Sequence, residues 1–201
     1  EQSLPEPSVD PTDWHRRRKE SLWRGPHLAV DLHSRVADNR FLIPRITATN
    51  PAEFIEIAPG VSLPTLRLPE QVAYLAVHGA SSAWFRLKWL ADFAALLHPL
   101  PLQGIANLRT QAVQLGAGRA IDQALLLGYR FFGTPLPDEV SIDAPTRQLV
   151  NLAAAQLQAE REPTARPFGT ATIHLSQLLL RPGSRFAFRE FGRQVGDLLT
   201  R

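Results

Sequence analysis

The spacing of hydrophobic and polar positions changes at Pro69, and this change predicts two structural regions. Before Pro69, apolar side chains alternate with polar ones, as in short β-strands. After Pro69, apolar side chains recur every three to four residues, as in amphipathic helices. The fold class is therefore predicted to be α+β and predominantly α, with strands and a hairpin in the N-terminal third followed by a helical bundle. Residues 1–68 form the first region and residues 69–201 form the helical domain.

The stretch LAVDLHSRV, residues 28–36, alternates over its whole length and predicts a strand. One face is mainly apolar, and the other carries Asp31, His33 and Arg35. Residues 53–68 also alternate and contain a Pro-Gly pair at 59–60, which predicts a β-hairpin. The sequence before residue 69 thus contributes a small remnant of a sheet.

Proline, glycine and serine positions divide the remaining sequence into helices. Pro69 and Gly79 mark the start and end of the first, and Ser81 or Ser82 caps a second that ends before Pro99. The apolar stripe of the second helix contains Phe85, Trp89 and Phe93. Further helices are predicted at about 101–115, 118–133, 143–161, 170–180 and 184–199.

Composition excludes several classes of protein. The 201 residues carry a net charge of only +3, which does not indicate nucleic-acid binding. The absence of cysteine excludes disulfides and thiolate metal sites and fits a cytoplasmic protein. No apolar run approaches the roughly 18 residues of a membrane span. Residues 1–13 hold three prolines and four acids and predict a linker, and because the chain lacks methionine we expect further N-terminal sequence.

Asp31 and His33 are the first candidates for chemistry. Alternate residues of a strand share a face and lie roughly 6.5–7 Å apart. A carboxylate is a good Mg²⁺ ligand when other ligands converge on it. The alternative is an ordinary solvated strand face, and the pattern alone leaves both open.

Two basic segments are further candidates. The run Arg16–Lys19 lies between Trp14 and Trp23, as in either a nucleotide contact or a solvated helix face. In the last predicted helix, arginines lie on the side opposite an apolar stripe of Phe188, Phe191, Val195 and Leu198. One function of such a helix is to bind an acidic surface or a partner. The alternative, which we favour, is that it closes a helical bundle with its arginine face in solvent. The arginines of this stripe are Arg181, Arg185, Arg189 and Arg193.

The spacing of Gly79, Ser81 and Asp92 loosely matches a nucleotidyltransferase signature in which a Gly-Ser turn precedes Asp-x-Asp. The second acid is missing, since Ala94 occupies its place, and the intervening periodicity is helical. Two helices joined by a tight turn are therefore predicted instead. In that arrangement Lys88 and Asp92 form an i,i+4 ion pair, and His78 approaches Asp92 across the turn.

Three motifs together resemble an uncharacterised family of bacterial nucleotidyltransferases, over about residues 14–135. They are Asp31-Leu32-His33, Leu75-x-x-His78-Gly79, and Arg86-Leu87-Lys88-Trp89-Leu90-x-Asp92. The resemblance implies an enzyme that uses Mg²⁺ and a nucleoside triphosphate to transfer a nucleotide to an unknown acceptor. It implies that Asp31 is catalytic, as the third acid and a metal ligand. It also implies that His33, Arg35 and Lys88 contact the nucleotide.

The chain departs from the family pattern before Asp31. The first two acids belong to an Asp-x-Asp strand after a Gly-Ser turn, and residues 1–30 contain no such motif. The sequence is therefore expected to be the C-terminal portion of a nucleotidyltransferase and to be inactive by itself. The alternative is a non-catalytic helical module that binds a protein partner or an acidic surface through its arginine stripe.

Overall fold

The computed structural model describes residues 20–26, 29–33, 35–39, 41–47 and 49–199. The lead-in at 1–13 and the basic run Arg16–Lys19 lie outside these residues. The four strands are β1 (Glu20–Arg24), β2 (Ala29–His33), β3 (Ala52–Ala58) and β4 (Val61–Leu66). The helices are α1 (Leu68–Ser81), α2 (Leu87–Leu97), α3 (Leu102–Leu115), α4 (Arg119–Phe132), α5 (Ala144–Leu157), α6 (Ala171–Gln177) and α7 (Ser184–Leu199), with a 3₁₀ turn at Pro163–Ala165. The predicted α+β class with predominant helix is confirmed.

The strands form two separate antiparallel hairpins. In the first, Glu20 lies opposite His33 and Arg24 opposite Ala29. In the second, Ala52 lies opposite Leu66, and the chain reverses after Ala58 as the Pro-Gly pair predicts. Both β3 and the first four residues of β4 are exposed, so the hairpin contributes little to the core.

The strand predicted over residues 28–36 is shorter in the structure, because β2 ends at His33. The chain then bends away through residues 35–39. Ala37 and Asn39 are 7% and 5% exposed, so this segment is drawn into the protein interior instead of extending the strand. Arg35 consequently lies beyond the strand, and the predicted row of three polar side chains on one strand face is wrong at this position.

The helical core centres on α4, which contacts α1, α2, α3 and α5. Its apolar stripe, including Ile121, Leu125 and Leu127, is almost completely buried. Burial of each such side chain stabilises the fold by about 1.5–3 kcal/mol. A buried ion pair joins α4 to α3, since Arg109 donates to both carboxylate oxygens of Asp122 at 2.6 and 3.0 Å.

The break between α1 and α2 differs from the prediction. Helix α1 continues through Gly79 to Ser81, and α2 begins only at Leu87, so neither Ser81 nor Ser82 caps it. The Trp84 side chain is completely buried, and its backbone N–H donates to the Gly79 carbonyl at 2.8 Å. To reach this place the backbone adopts positive φ at Ala83 (49°) and Trp84 (54°). Gly79 is therefore the residue against which the indole packs, not a helix stop.

Gly79→Ala is expected to destabilise the fold by about 1–3 kcal/mol, because its Cβ would overlap the Trp84 ring. Gly192→Ala is the matched control, since a Cβ at this exposed position in α7 meets no atom within 4 Å. The control is expected to stabilise α7 by about 0.5–1 kcal/mol. Urea unfolding of both variants measures the difference, and equal free energies of unfolding would contradict the packing described.

Helix α7 packs through the side that the sequence assigns to solvent. Phe186 and Glu190 are buried, at 8% and 1% exposed, whereas Phe188 is 78% exposed. The exposed large apolar side chains of this helix are Phe188, Phe191, Val195, Leu198 and Leu199. The expectation of an arginine face in solvent holds for Arg185 and Arg189, which are exposed, and is wrong for Arg193, which is 27% exposed and pairs with Glu190. None of the helices in the part of the chain that the structure describes is long and apolar enough to cross a bilayer.

Candidate functional site

Asp31 and His33 lie together at the end of β2. His33 Nε2 is 3.2 Å from Asp31 Oδ2, and the two side chains are 31% and 50% exposed. The period of the strand puts both side chains on one face, as predicted. An exposed pair of this kind contributes only about 0–1 kcal/mol to stability. Because both side chains are partly exposed, the pair is accessible from solvent.

The pair supplies two potential metal ligands. One is the carboxylate oxygen of Asp31, and the other is the imidazole nitrogen of His33. The described residues contain no group of three or more His, Cys, Asp or Glu side chains that could hold a metal ion. Mg²⁺ usually retains several waters and is held by one or two carboxylates together with substrate phosphates. Asp31 therefore fits a Mg²⁺ ion that arrives with a polyphosphate, and does not fit a metal site built from the described side chains alone.

Arg35 follows the pair but does not share its strand face. Its side chain is partly buried, and its Nε has no hydrogen-bond partner among the described residues. A buried donor without a partner costs free energy, which an anionic ligand relieves by accepting its hydrogen bond. Arg35 thus presents a buried Nε donor from a position beyond the strand.

Lys88 lies in the first turn of α2 and forms the ion pair that the sequence predicts. Its Nζ is 2.8 Å from Asp92 Oδ2, and its side chain is 79% exposed. Gly79 and Ser81 lie in α1 and Asp92 in α2, so the weak Gly-Ser signature falls on two helices, as predicted.

The two longer sequence motifs meet at the α1–α2 break. The His78 ring lies 4.9 Å from the Trp89 ring in an edge-on contact and 5.7 Å from the Tyr74 ring. The Arg86 guanidinium lies 5.6 Å from the Trp89 ring. These contacts fix the orientation of the His78 imidazole, and they explain why the two motifs need aromatic and basic residues at these positions.

The described residues after β2, 35–39 and 41–47, are called the linking segment. Arg181 donates to the Phe41 carbonyl, and the Arg189 guanidinium lies 4.8 Å from the centroid of the Phe41 ring. Leu42 and Ile43 are buried in the helical core. The arginines therefore hold the segment that follows Asp31 and His33 against the helical bundle.

Glu190 anchors the linking segment to α7. Its carboxylate accepts hydrogen bonds from Asn39 Nδ2 at 2.5 Å, Arg193 Nη2 at 2.5 Å and Gln194 Nε2 at 2.9 Å. Burial by itself raises the pKa of Glu190, but these hydrogen bonds and the charge of Arg193 outweigh burial and hold the pKa below its usual value. Glu190 is therefore ionised at neutral pH and fully paired. The sequence shows no periodic signal for a carboxylate buried among arginines.

Arg189 and Arg193 are thus engaged within the protein. The alternative function, in which Arg185, Arg189 and Arg193 bind a partner, would require two of its three side chains to leave intramolecular contacts. Arg185 is exposed. The structure therefore offers the arginine stripe less fully to a partner than the helical spacing suggests.

A polar cleft of about 170 Å³ lies between the linking segment, the end of α1, and α6. Its polar lining consists of Asp38, His78, Ser81, Ser82 and Gln177. Gln177 Nε2 donates to the Ser81 carbonyl at 2.7 Å, which ties α6 to α1 across the cleft. Local sequence patterns do not indicate this site, because its walls come from three segments that are distant in the chain.

Residues 6–133 match the model of a family described as uncharacterised nucleotidyltransferase. The match includes β1 to β4 and α1 to α4, together with Asp31, His33, Arg35 and Lys88. No curated protein and no solved structure matches the chain. Helices α5 to α7 lie beyond the matched residues, and among them α7 holds the linking segment through Arg189 and Glu190.

Proposed function

Because the chain belongs to this nucleotidyltransferase family, we propose that it takes part in Mg²⁺-dependent transfer of a nucleoside monophosphate from a triphosphate to an acceptor. The observation that carries the proposal is the Asp31–His33 pair at the end of β2, with its 3.2 Å contact. Asp31 is the metal ligand and the catalytic carboxylate that this chain contributes. When bound, Mg²⁺ neutralises phosphate charge and polarises the phosphoryl oxygen.

His33 orients the carboxylate of Asp31. An imidazole that contacts one carboxylate oxygen restricts the rotation of the carboxylate, so that its other oxygen is presented in a defined direction. The side chain of Asp31 is half exposed, which leaves room for a metal-bound polyphosphate. The pair therefore serves as one wall of the nucleotide site.

Arg35 and Lys88 contact phosphate oxygens in this proposal. Arg35 lies two residues after His33, and its buried Nε donor suits an anionic acceptor. Lys88 is exposed but is bound to Asp92, so it must exchange that carboxylate for a phosphate. Arg35 is consequently expected to contribute more to triphosphate affinity than Lys88.

The site assignment rests on a family resemblance, and this resemblance implies that the transfer needs two carboxylates in addition to Asp31. Residues 1–30 have no Asp-x-Asp motif. We therefore expect this chain to bind the metal-bound nucleotide weakly and not to complete the transfer unless those carboxylates are supplied. The helical domain then shapes the site and receives the acceptor.

Asp31→Asn is expected to reduce affinity for Mg²⁺-bound nucleoside triphosphate by about tenfold or more, because an amide is a poor substitute for an anionic metal ligand. Isothermal titration calorimetry with each of the four triphosphates, in Mg²⁺ and in EDTA, measures the effect. The loss of triphosphate affinity is expected only in the presence of Mg²⁺.

Asp138→Asn is the matched control, since Asp138 is an exposed carboxylate in the loop after α4. It removes the same charge from the protein without touching β2. If Asp31→Asn and Asp138→Asn bind Mg²⁺-triphosphate with the affinity of the unmodified chain, Asp31 is not a metal ligand.

A further inference from the structure

We propose that the exposed apolar face of α7 is a docking surface for a lipid bilayer that contains anionic phospholipids. The exposed apolar side chains of this face are called the α7 stripe: Phe188, Phe191, Val195, Leu198 and Leu199. The proposal depends on α7 and does not rest on the nucleotide transfer proposed above.

Helix α7 presents its apolar side to solvent. In a surface helix of a globular protein, the apolar side normally faces the core and the charged side chains face water. Here Glu190 is 1% exposed, whereas Phe188 and Leu199 are 78% and 80% exposed. A contiguous apolar surface of this kind marks a site of interaction.

Polar contacts hold α7 in this orientation. The Glu190 carboxylate accepts a hydrogen bond from Asn39, and Gln194 Nε2 donates to the His174 carbonyl at 3.0 Å. Leu175 follows His174 and is 62% exposed, so α6 adds an apolar side chain next to α7. The stripe is therefore available to a partner while the opposite side of α7 remains bound to the protein.

The shape of the stripe suits a bilayer better than a second protein. Successive side chains are about 100° apart around a helix, so the members of the stripe fall within an arc of about 100°. The 16 residues of α7 extend over about 24 Å. A stripe of this length and a width of about 10 Å covers roughly 250 Å², well below the roughly 800 Å² that each partner buries in a stable protein interface. Binding to a bilayer has no such threshold, because it strengthens gradually with buried apolar area and with attraction to anionic lipids.

The exposed charge beside the stripe is positive. The sequence of α7 carries three arginines against two acidic residues. Arg185 and Arg189 are exposed, and the contact of Arg189 with the Phe41 ring does not neutralise its charge. Among the described side chains of α7, the carboxylate is that of Glu190, which is buried and paired with Arg193. A partner surface that is both apolar and negatively charged therefore matches this face.

A second copy of the chain matches this face less well. In a two-fold symmetric pair, each stripe would meet the other stripe together with its exposed arginines. The described side chains of α7 offer no exposed carboxylate to pair with Arg185 or Arg189. The phosphates of an anionic bilayer supply negative charge across the whole surface. Their attraction extends over about 8–10 Å, so Arg189 keeps its contact with the Phe41 ring.

Co-sedimentation of the full chain with lipid vesicles tests the proposal. Vesicles of phosphatidylcholine alone are compared with vesicles that contain equal amounts of phosphatidylcholine and phosphatidylglycerol. The affinity for the anionic vesicles is expected to be roughly thirtyfold higher, the factor that about 1 kcal/mol for each of two arginines produces. Arg185→Gln is expected to lower the affinity for the anionic vesicles about fivefold.

A double variant, Phe188→Gln with Phe191→Gln, tests the stripe itself. It keeps every charge of the chain, including the basic run Arg16–Lys19, which also attracts anionic lipid. The affinity for the anionic vesicles is expected to fall by about tenfold or more, because the aromatic surface no longer inserts. The matched control is Phe54→Gln with Ile57→Gln in β3, where the side chains are 72% and 60% exposed, and a change below about twofold is expected. Thermal unfolding verifies that both double variants fold.

A fluorescent label reports insertion directly. Because the chain contains no cysteine, Val195→Cys accepts a single environment-sensitive dye, and Ile57→Cys is the control. The emission of the dye is expected to shift to shorter wavelength with anionic vesicles at position 195 and not at position 57. This measurement keeps the test valid if the double variant of Phe188 and Phe191 does not fold.

Absence of binding to the anionic vesicles overturns the proposal. Binding that the double variant of Phe188 and Phe191 leaves unchanged, or that is equal for both kinds of vesicle, also overturns it. Sedimentation equilibrium examines the second copy as the occupant. A dimer that the double variant dissociates, formed by a protein that binds no vesicles, would assign the stripe to self-association and overturn the assignment to a bilayer.

Discussion

Glu190→Ala is expected to destabilise the protein by about 3–5 kcal/mol, the cost of removing one partner from a buried ion pair. The Glu190 side chain is 1% exposed and binds Arg193, Gln194 and Asn39. Its loss leaves the Arg193 guanidinium and the buried Asn39 amide without their shared acceptor. Urea unfolding measures the effect, with the exposed Glu139→Ala as control, for which a change within about 0.5 kcal/mol is expected.

The pH dependence provides a second readout of Glu190. Since its pKa in the folded protein lies below the ordinary value of 4.5, the ionised carboxylate stabilises the fold at neutral pH. This contribution is complete above the pKa of the unfolded state and is lost as the pH falls through the lower pKa of the folded state. The difference in unfolding free energy between the unmodified protein and Glu190→Gln is therefore expected to be constant near neutral pH and to shrink below pH 4.5. A difference that does not change with pH would show that the charge of Glu190 is unimportant.

Trp84→Ala is expected to destabilise the fold by about 3–5 kcal/mol, because it removes the largest completely buried side chain among the described residues and leaves a cavity. The Trp84 ring packs edge-on against Phe93 at 6.2 Å and lies directly against Gly79. The positive φ of Trp84 adds backbone strain, which this packing helps to offset. Phe188→Ala is the control, since Phe188 is 78% exposed, and its unfolding free energy is expected to change by about 0.5 kcal/mol or less.

A double-mutant cycle identifies the steric partner of Trp84. Gly79→Ala is destabilising in the unmodified chain, but in the Trp84→Ala background the added methyl group enters the space that the indole vacates. We therefore expect it to become neutral or stabilising there, with a coupling free energy of about 1–3 kcal/mol. An equal cost of Gly79→Ala in both backgrounds would show that the two residues do not meet.

The α1–α2 break also affects the polar cleft. Ser81 and Ser82, which line the cleft, are the last residue of α1 and the residue after it. Trp84 fixes the path of the chain immediately after them. Trp84→Ala is thus expected to change the shape of the cleft as well as the stability of the fold.

Local periodicity determined the elements of this protein. The predicted helices at about 101–115, 118–133 and 184–199 correspond to Leu102–Leu115, Arg119–Phe132 and Ser184–Leu199, because glycine and proline end helices through local backbone effects. The two-residue period of β2 likewise sufficed to bring Asp31 and His33 together, as their 3.2 Å contact confirms. The three motifs were enough to indicate the nucleotidyltransferase family.

The tertiary structure alone decided which surfaces these elements bury. An apolar stripe shows that α7 has two faces, but it does not show which face has a partner. Here the buried carboxylate of Glu190 binds Asn39, 151 residues away in the sequence, and directs the opposite face inward. Gly79 is likewise a residue of the helix interior, because Trp84 packs against it. Strand β2 ends at His33, because the following Ala37 and Asn39 are buried. Each outcome depends on contacts between distant segments, which the local sequence pattern does not contain.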